Sequence, residues 1–287
     1  MSSTRYAGKV VWVTGGGSGL GRSMAIAFAQ EGARVCVIGR RQEALDETAQ
    51  VIAQQGGSAF GLACDVRDAA RVEEVAAEIV RRTGRIDVLV NNAAGNFVAP
   101  SEKLSPNGFK AVVDIVLNGT FHCTRAAFDA LRESRGNILN IIATYAWSGE
   151  PGALHSACAK AGVLAMTRTL AAEWGGFGIR VNAIAPGPIH TEGTDKNLWS
   201  VADPSTGSGQ ANDAALIEQV PLGRLGTPDD ISRAALWICS VDAGWVSGAA
   251  LPVDGAHWLH GGTLNFRSAY DRLMSGQPLA GPATEKA

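Results

Sequence analysis

The sequence predicts an α/β protein built on a doubly wound parallel sheet of about seven strands, with helices on both faces. Short apolar runs alternate along the chain with longer segments of helical periodicity, the pattern typical of parallel βαβ units. A glycine-rich turn follows the first apolar run. The chain has 287 residues, 46% of them hydrophobic, which suits a single large core.

The first unit is Rossmann-like. An apolar strand is predicted over residues 10–13, a glycine-rich turn over 14–21 and a helix over 24–30. Glycines in this position let backbone N–H groups approach a pyrophosphate at the N-terminus of the helix. The spacing is G-x-x-x-G-x-G rather than G-x-G-x-x-G, and a plain turn is the alternative. The predicted cofactor contacts in this turn are Gly15, Ser18, Gly19, Leu20 and Gly21.

Arginines follow the second predicted strand, residues 34–39. An NAD-binding fold commonly has an acidic residue there, whereas this chain has Arg40 and Arg41, and Arg22 lies just after the glycine turn. Because guanidinium groups pair with a 2′-phosphate, we expect the cofactor to be NADP(H). The alternative is that these arginines only face water.

The next elements extend the same pattern: a helix over 43–55, a strand over 59–64, a helix over 71–83 and a strand over 86–90. Residues after the carboxyl ends of parallel strands border a crevice-bound cofactor. Asn91 and Asn92 can instead cap and turn the chain. The contacts predicted from these strand ends are Asp65, Val66, Asn92 and Ala93.

A long helix is predicted over residues 106–131, with Asn118-Gly119 interrupting it. Both are poor helix formers, so we expect a cause, such as an Asn that reaches a pocket. Asp114, one turn earlier, is expected to be solvated or structural.

The stretch that decides the chemistry is residues 140–160. A buried strand ends near Tyr145, a Gly/Pro-rich loop follows, and the next helix carries Lys160. An ammonium near a phenol lowers the pKa of the Tyr, which would make a proton donor for carbonyl reduction. The alternative is a Tyr that packs and a Lys that is solvated.

The last part of the chain adds a strand over 180–184, a helix over 229–240 and a strand over 250–253. Residues 190–219 lack periodicity, which predicts a mobile lid or binding loop. We expect one catalytic domain over 1–263 and a partly disordered extension over 264–287. His257 and His260 have no third ligand in view, so no metal site is predicted. Pro186, Gly187 and Ile189 follow the strand that starts at residue 180.

Composition excludes several classes of protein. The net charge of −2 suggests neither a nucleic-acid nor a membrane partner. The five scattered cysteines predict reduced thiols rather than disulfides. The N-terminus is polar and no apolar run approaches the ~20 residues of a membrane span, so we expect a soluble, cytoplasmic protein.

The glycine turn at 14–21, the N-N-A-A-G run at 91–95 and the region of Lys160 together resemble the short-chain dehydrogenase/reductase family over about residues 6–260. One departure is informative. Most members carry Tyr-x-x-x-Lys and a Ser further upstream, but this chain has Ser156 and Ala143 at those positions. The usual catalytic Tyr and Ser are therefore both absent.

The departure is similar to the mitochondrial-type 2,4-dienoyl-CoA reductase branch, through N-N-A-A-G-N-F at 91–97, D-I-V-L-N-G-T at 114–120 and G-R-L-G-T at 223–227. That resemblance implies Tyr145 in place of the usual Tyr and Asn118 as partner of the thioester carbonyl. It also implies Ser156 as a phosphate or substrate contact, Lys160 on the nicotinamide ribose, and NADPH as reductant.

The resemblance further implies Pro186, Gly187 and Ile189 as cofactor contacts, an acyl-CoA substrate and a homotetramer. His155 is expected to be structural. Two alternatives stay open: a reductase of another carbonyl compound that uses Tyr145 as acid, and an inactive NADP(H)-binding protein.

Overall fold

The computed structural model of the protein describes residues 5–191, 210–259 and 274–275. Its strands are β1 Val10–Thr14, β2 Arg34–Gly39, β3 Ser58–Ala63, β4 Val88–Asn91, β5 Asn137–Ile141, β6 Arg180–Pro186 and β7 Ala250–Val253. They form one parallel sheet in the order β3-β2-β1-β4-β5-β6-β7. The predicted fold class is confirmed.

Helices cover both faces of this sheet. The described helices are α1 Gly19–Gln30, α2 Gln42–Gln54, α3 Ala69–Thr83, α4 Pro106–Val113, α5 Gly119–Ser134, α6 Tyr145–Ser148, α7 Leu154–Trp174, α8 Gln210–Glu218 and α9 Pro228–Ile238. Among the described residues, no helix has the length and apolarity that crossing a bilayer requires.

Strand β1 shows why the sheet is buried on both sides. Its successive side chains point to opposite faces. Val11 and Val13 pack with residues of α1, α2 and α9, whereas Val10 and Trp12 pack with residues of α3 and α5. Because both faces are covered, the strand reads as a continuous apolar run rather than an alternating one.

The predicted interruption of the long helix is a π-helical turn, Asp114–Asn118, between α4 and α5. Such turns are rare and often lie near functional sites. Packing explains why position 119 is a glycine, because a Cβ there would lie 2.5 Å from Cγ2 of Val66. The π turn thus lets α5 approach the loop after β3 closely.

The predicted lid over 190–219 contains a helix. Residues 210–218 form α8 rather than a loop, whereas residues 190 and 191 are not helical. Residues 192–209, the central part of the predicted lid, lie outside the described residues. So does the predicted extension over 264–287, apart from residues 274–275.

The order of the strands fixes where a ligand binds. The chain moves outward from β1 to β2 and β3 on one side, and outward from β4 to β7 on the other. Ligands of such sheets bind outside the carboxyl ends of the strands, at the point where the direction reverses. Here that point lies between β1 and β4.

Candidate active site

The glycine turn after β1 has the backbone shape that its sequence predicts. Gly15 and Gly19 have φ of +66° and +51°, in the left-handed region that favours glycine. A Cβ at Gly21 would collide with the carbonyl oxygen of Gly15. Ser18 is the N-cap of α1 but makes no side-chain cap hydrogen bond. The first N–H groups of α1 are therefore left to a ligand, and an anionic phosphate fits them.

A crevice of about 660 Å³ opens beside this turn. Most of the predicted cofactor residues line it, namely Gly15, Ser18, Gly19, Leu20, Arg40, Arg41, Asp65, Val66, Asn92 and Ala93. Gly21 packs behind the turn, and Arg22 is not among the lining residues. Lining residues that the sequence analysis missed include Asn96, Ile115 and Thr191.

Charged groups at one end of the crevice are arranged for a phosphate. Arg40 and Arg41 are exposed there, and neither has an ion pair with another described residue. The Asp65 carboxylate is occupied by Arg67, whose Nη2 donates over 2.6 Å. The hydrogen bonds from Arg67 lower the pKa of Asp65. The crevice thus presents unpaired positive charge and a carboxylate that is already neutralised.

Asn92 joins the ends of β1 and β4. Its side-chain nitrogen donates to the carbonyl of Thr14 over 3.0 Å. The hydroxyl oxygen of Thr14 accepts from the backbone N–H groups of Asn92 and Ala93, both over 2.9 Å. Asn92 therefore shapes the crevice floor through its own side chain.

A second buried link lies directly behind the crevice. Asn91 donates to Asn140 over 2.9 Å and to Thr124 over 3.0 Å. Asn140 in turn donates to Thr167 over 2.8 Å. This chain of hydrogen bonds ties β4 and β5 to α5 and α7.

Tyr145 is in contact with Ser156, whereas the sequence analysis expected it near Lys160. Tyr145 is not at a strand tip, since β5 ends at Ile141 and Tyr145 opens the short helix α6. Its Oη lies 3.1 Å from Oγ of Ser156, which is buried on α7. Lys160, one turn further along α7, donates from Nζ to the carbonyl of Ile141.

The prediction that Lys160 lowers the pKa of Tyr145 is wrong. Burial raises the pKa of the Tyr145 hydroxyl, the hydrogen bond with Ser156 opposes this, and Glu150 adds to the rise. Burial lowers the pKa of Lys160 to about 8. The physical reason is that Nζ of Lys160 faces a backbone carbonyl, while the phenol partners a hydroxyl. Tyr145 is therefore a neutral phenol at neutral pH, and its O–H is able to donate a hydrogen bond.

Asn118 lies at the end of the π turn. Its side chain is exposed, and its Nδ2 donates one hydrogen bond to Oδ1 of Asp114 over 2.9 Å. Asp114 also pairs with Lys110. The sequence analysis expected the Asn118 amide in a pocket, whereas one of its two N–H groups is bonded to the carboxylate one turn earlier and the other has no bond to a described residue. Ile115 of the same turn lines the crevice instead.

Asn96 supplies an amide in the crevice. Its Oδ1 accepts from the backbone N–H of Phe97 over 2.9 Å, and this assigns the oxygen end of the amide. The two N–H donors on Nδ2 then remain for the crevice, since an N–H can only donate. Asn96 lies in the 91–97 stretch that the sequence singled out, but nothing in the sequence distinguished it from Asn118.

The segment after β6 contributes to the site indirectly. Ile189 pairs with Gly226 in an isolated β-bridge, and a Cβ at Gly187 would lie 2.5 Å from Cβ of Asp254. The residues that line the crevice include Thr191 but not Pro186, Gly187 or Ile189. A Cβ at Gly19 would be 3.4 Å from Cβ of Thr191. The segment after β6 thus places Thr191 beside the glycine turn.

Within the described ranges, no group of three or more His, Cys, Asp or Glu residues is arranged to hold a metal ion. His257 is described and His260 is not.

The sequence family described as Enoyl-(Acyl carrier protein) reductase matches residues 15–256. A Bacillus subtilis protein named probable 2,4-dienoyl-CoA reductase is 46% identical over 255 residues, covering 88% of this chain and 97% of that protein. A Rattus norvegicus protein named peroxisomal 2,4-dienoyl-CoA reductase is 38% identical over 273 residues, covering 92% and 90%. The crystal structure of a short chain dehydrogenase from Bacillus anthracis is 46% identical, with a TM-score of 0.78, and covers 89% of this chain and 98% of that one.

Proposed function

The chain belongs to the short-chain dehydrogenase/reductase family, a family of oxidoreductases, and on that premise we propose that it reduces 2,4-dienoyl-CoA thioesters with NADPH. The observation that carries the proposal is the Tyr145–Ser156 pair, with Oη and Oγ 3.1 Å apart. The position four residues before Lys160 holds a small hydroxyl, and the phenol enters from α6 instead. This leaves room beside α7 for a flat, extended acyl chain.

The glycine turn, the uncapped start of α1 and the two crevice arginines fit a dinucleotide with a 2′-phosphate. Arg40 and Arg41 would pair with that phosphate, and Lys160 would hold the nicotinamide ribose. NADPH, when bound, would supply a hydride. Members of the family use a nicotinamide dinucleotide as cofactor.

The residues act on the charge that hydride addition creates. Addition at the far end of the conjugated system moves negative charge onto the thioester oxygen. A neutral Tyr145 hydroxyl would donate to that oxygen, as in an oxyanion hole, without giving up its proton. Water would then protonate carbon. The raised pKa of Tyr145 supports this role, because a phenolate could not donate.

The second donor is an asparagine amide. The sequence analysis named Asn118, one of whose two N–H donors is bonded to Asp114. The other N–H remains able to donate to a thioester oxygen. We therefore propose Asn118 with Tyr145 as the pair that stabilises the dienolate. Asn96, whose oxygen accepts from Phe97 and which lines the crevice, is the second candidate.

Three further elements belong to this proposal. The acyl-CoA substrate is supported by the names of the relatives. We also propose a role in fatty acid β-oxidation, a homotetramer and a cytoplasmic location, which the family resemblance and the sequence support.

The test is oxidation of NADPH by the purified protein with 2,4-hexadienoyl-CoA, compared with NADH and with a panel of ketones. We expect turnover with the thioester, a preference for NADPH, and little turnover of ketones. Turnover of ketones alone would instead indicate a different carbonyl reductase. NADPH binding without turnover of any thioester would indicate a binding protein. Analysis of the product by NMR would locate its double bond.

A further inference from the structure

Trp147 is an aromatic residue next to the site that the proposed chemistry does not use. It lies two residues after Tyr145 on α6, so its side chain leaves this helix on a different face from the phenol. Its ring is partly buried against the apolar cluster that contains Val112, Val116 and Ile142. Its indole N–H is buried and has no hydrogen-bond partner among the described residues. Packing rather than hydrogen bonding therefore holds this side chain.

Trp258 packs against Trp147 from the other side. It belongs to the single helical turn His257–Leu259, which follows the edge strand β7. The centroids of the two indole rings are 5.6 Å apart and the ring planes meet at 80°. In this edge-to-face geometry, aromatic rings attract each other beyond simple burial. The contact thus joins the segment after β7 to α6, the helix that carries Tyr145.

The turn after β7 holds Trp258 in place. The Asp254 carboxylate accepts from the backbone N–H of Ala256 over 3.0 Å and from that of Trp258 over 2.9 Å. Ala256 has a φ of +69°, which is uncommon for a residue other than glycine. Such a conformation persists only where the surrounding structure fixes it, and the two hydrogen bonds to Asp254 do so here. Trp258 is therefore presented to Trp147 from a rigid turn.

Helix α6 depends on outside contacts for its orientation. It has only four residues, and isolated helices shorter than about 12–15 residues are marginal in water. Two side-chain contacts hold it on two faces. Tyr145 contacts Ser156 of α7 on one face, and Trp147 contacts Trp258 on the other. Loss of the second contact would leave the direction of the phenol less well fixed.

We propose that Trp258 is a positioning residue, which holds α6 through Trp147 and so keeps the Tyr145 hydroxyl aimed at the reacting thioester. The part of this inference that concerns the thioester rests on the proposed function. The part that concerns the orientation of Tyr145 does not, and it is measured without substrate or cofactor.

The first experiment measures the surroundings of Tyr145 by ¹⁹F NMR. The chain has three tyrosines, so 3-fluorotyrosine labelling gives three sites, and loss of a signal in Tyr145→Phe identifies that of Tyr145. We expect this signal to shift and broaden in Trp258→Ala. In Trp258→Phe it should stay close to its original position, because an aromatic ring is retained against Trp147. Tyr6, whose hydroxyl donates to the Leu236 carbonyl, is the internal control and should not move.

The second experiment measures turnover of 2,4-hexadienoyl-CoA. Trp258→Ala should lower kcat by about 10- to 100-fold, because a small misplacement of a catalytic group is costly. Trp258→Phe should restore most of the loss. The KM for the thioester and the Kd for NADPH should change by less than about twofold in both variants. Trp245→Ala is the matched control, since it removes the same side chain from a fully exposed position, and it should behave like the unmodified protein.

The double variant Trp147→Ala/Trp258→Ala separates coupling from two independent losses. We expect its kcat to be no lower than that of the less active single variant, since either change breaks the same contact. Losses that multiply would overturn the inference. A loss confined to KM that varies with acyl-chain length would also overturn it, because Trp258 would then act by contacting the substrate.

The ¹⁹F signals decide the matter independently of turnover. A Tyr145 signal that does not move in Trp258→Ala would overturn the inference. These spectra use only variants of the half-exposed Trp258, so they stand even where Trp147→Ala fails to fold. Absence of turnover in the unmodified protein would count against the proposed function alone, and the signals would still decide the role of Trp258.

Discussion

At the scale of single residues, Asn96 and Asn118 differ in which end of the amide is engaged. Asn96 uses its oxygen on the Phe97 backbone, while Asn118 uses one N–H on the Asp114 carboxylate. An oxyanion needs a donor, and both amides keep one, because an NH₂ group has two N–H bonds. Sequence reasoning could select asparagine as the residue type, and the kinetics of variants decide which of the two amides acts.

This contrast gives a paired prediction. Replacing Asn118 by Ala removes the proposed oxyanion donor and should lower kcat for 2,4-hexadienoyl-CoA by roughly 10²–10³. Asn96→Ala should lower kcat by less than about tenfold, because Asn96 lines the crevice without being the proposed donor. Steady-state kinetics of the two variants decide the matter. A larger loss from Asn96→Ala than from Asn118→Ala would move the donor role to Asn96.

Lys160 gives a prediction about pH and stability. Burial lowers its pKa to about 8 from 10.5. Between these two values the unfolded chain holds a proton that the folded chain has released, so the free energy of unfolding rises with pH. In Lys160→Met this contribution is absent.

Urea denaturation of both proteins at a series of pH values should show this contribution of Lys160 to the free energy of unfolding. Between about pH 7.5 and 9.5, the free energy of unfolding of the unmodified protein should rise by roughly 2 kcal/mol more than that of Lys160→Met. Subtracting one pH profile from the other removes the contributions of the other titrating groups, which the two proteins share. Parallel pH profiles would mean that the pKa of Lys160 is not lowered by burial.

At the scale of elements, the π turn shows what the sequence could and could not reveal. Asn118-Gly119 predicted an interruption in the helix, and the interruption exists. Its cause was not predictable, because it depends on the closeness of Gly119 to Val66, which is distant in sequence. Tyr145 is similar. The resemblance implied a role for Tyr145 near α7, and we propose that role. Its position at the start of a new helix could not be predicted, because it depends on the loop geometry after β5.

Gly119→Ala tests this close approach. Alanine is the better helix former by about 1 kcal/mol, so helix propensity alone predicts stabilisation. The collision with the stiff side chain of Val66 should outweigh this and lower the free energy of unfolding by roughly 1–3 kcal/mol. Because Val66 lines the crevice, the affinity for NADPH should also fall.

Gly176→Ala is the matched control, since no atom lies within 4 Å of a Cβ at that position. It should leave both stability and cofactor affinity nearly unchanged. Equal stability of the two variants would show that Val66 moves aside at little cost.

At the scale of the whole molecule, the sheet brings distant segments to one edge. The glycine turn follows β1, Arg40 follows β2, Asn96 follows β4 and Tyr145 follows β5. The alternation of strands and helices was enough to predict this edge as the site, because parallel strands share the direction of their carboxyl ends. The loops after the strands carry the chemistry, and their contacts are long-range. That is why Thr191 and Asn96 could not be assigned from sequence.

The two crevice arginines are likewise a property of the whole fold. The chain carries a net charge of −2, yet the crevice end after β2 holds positive charge without an ion pair from the described residues. Opposite charge at a cofactor site raises affinity for an anionic ligand.

The central claim is that a neutral Tyr145 stabilises charge on the thioester oxygen, and Tyr145→Phe tests it most directly. With 2,4-hexadienoyl-CoA and NADPH, kcat should fall by roughly 10²–10³ while the Kd for NADPH stays the same. The unmodified protein should also keep its kcat from about pH 6 to 7, below the lowered pKa of Lys160, because the pKa of the Tyr145 hydroxyl is raised rather than lowered. A Tyr145→Phe protein that reduces the thioester at the unmodified rate would contradict the account.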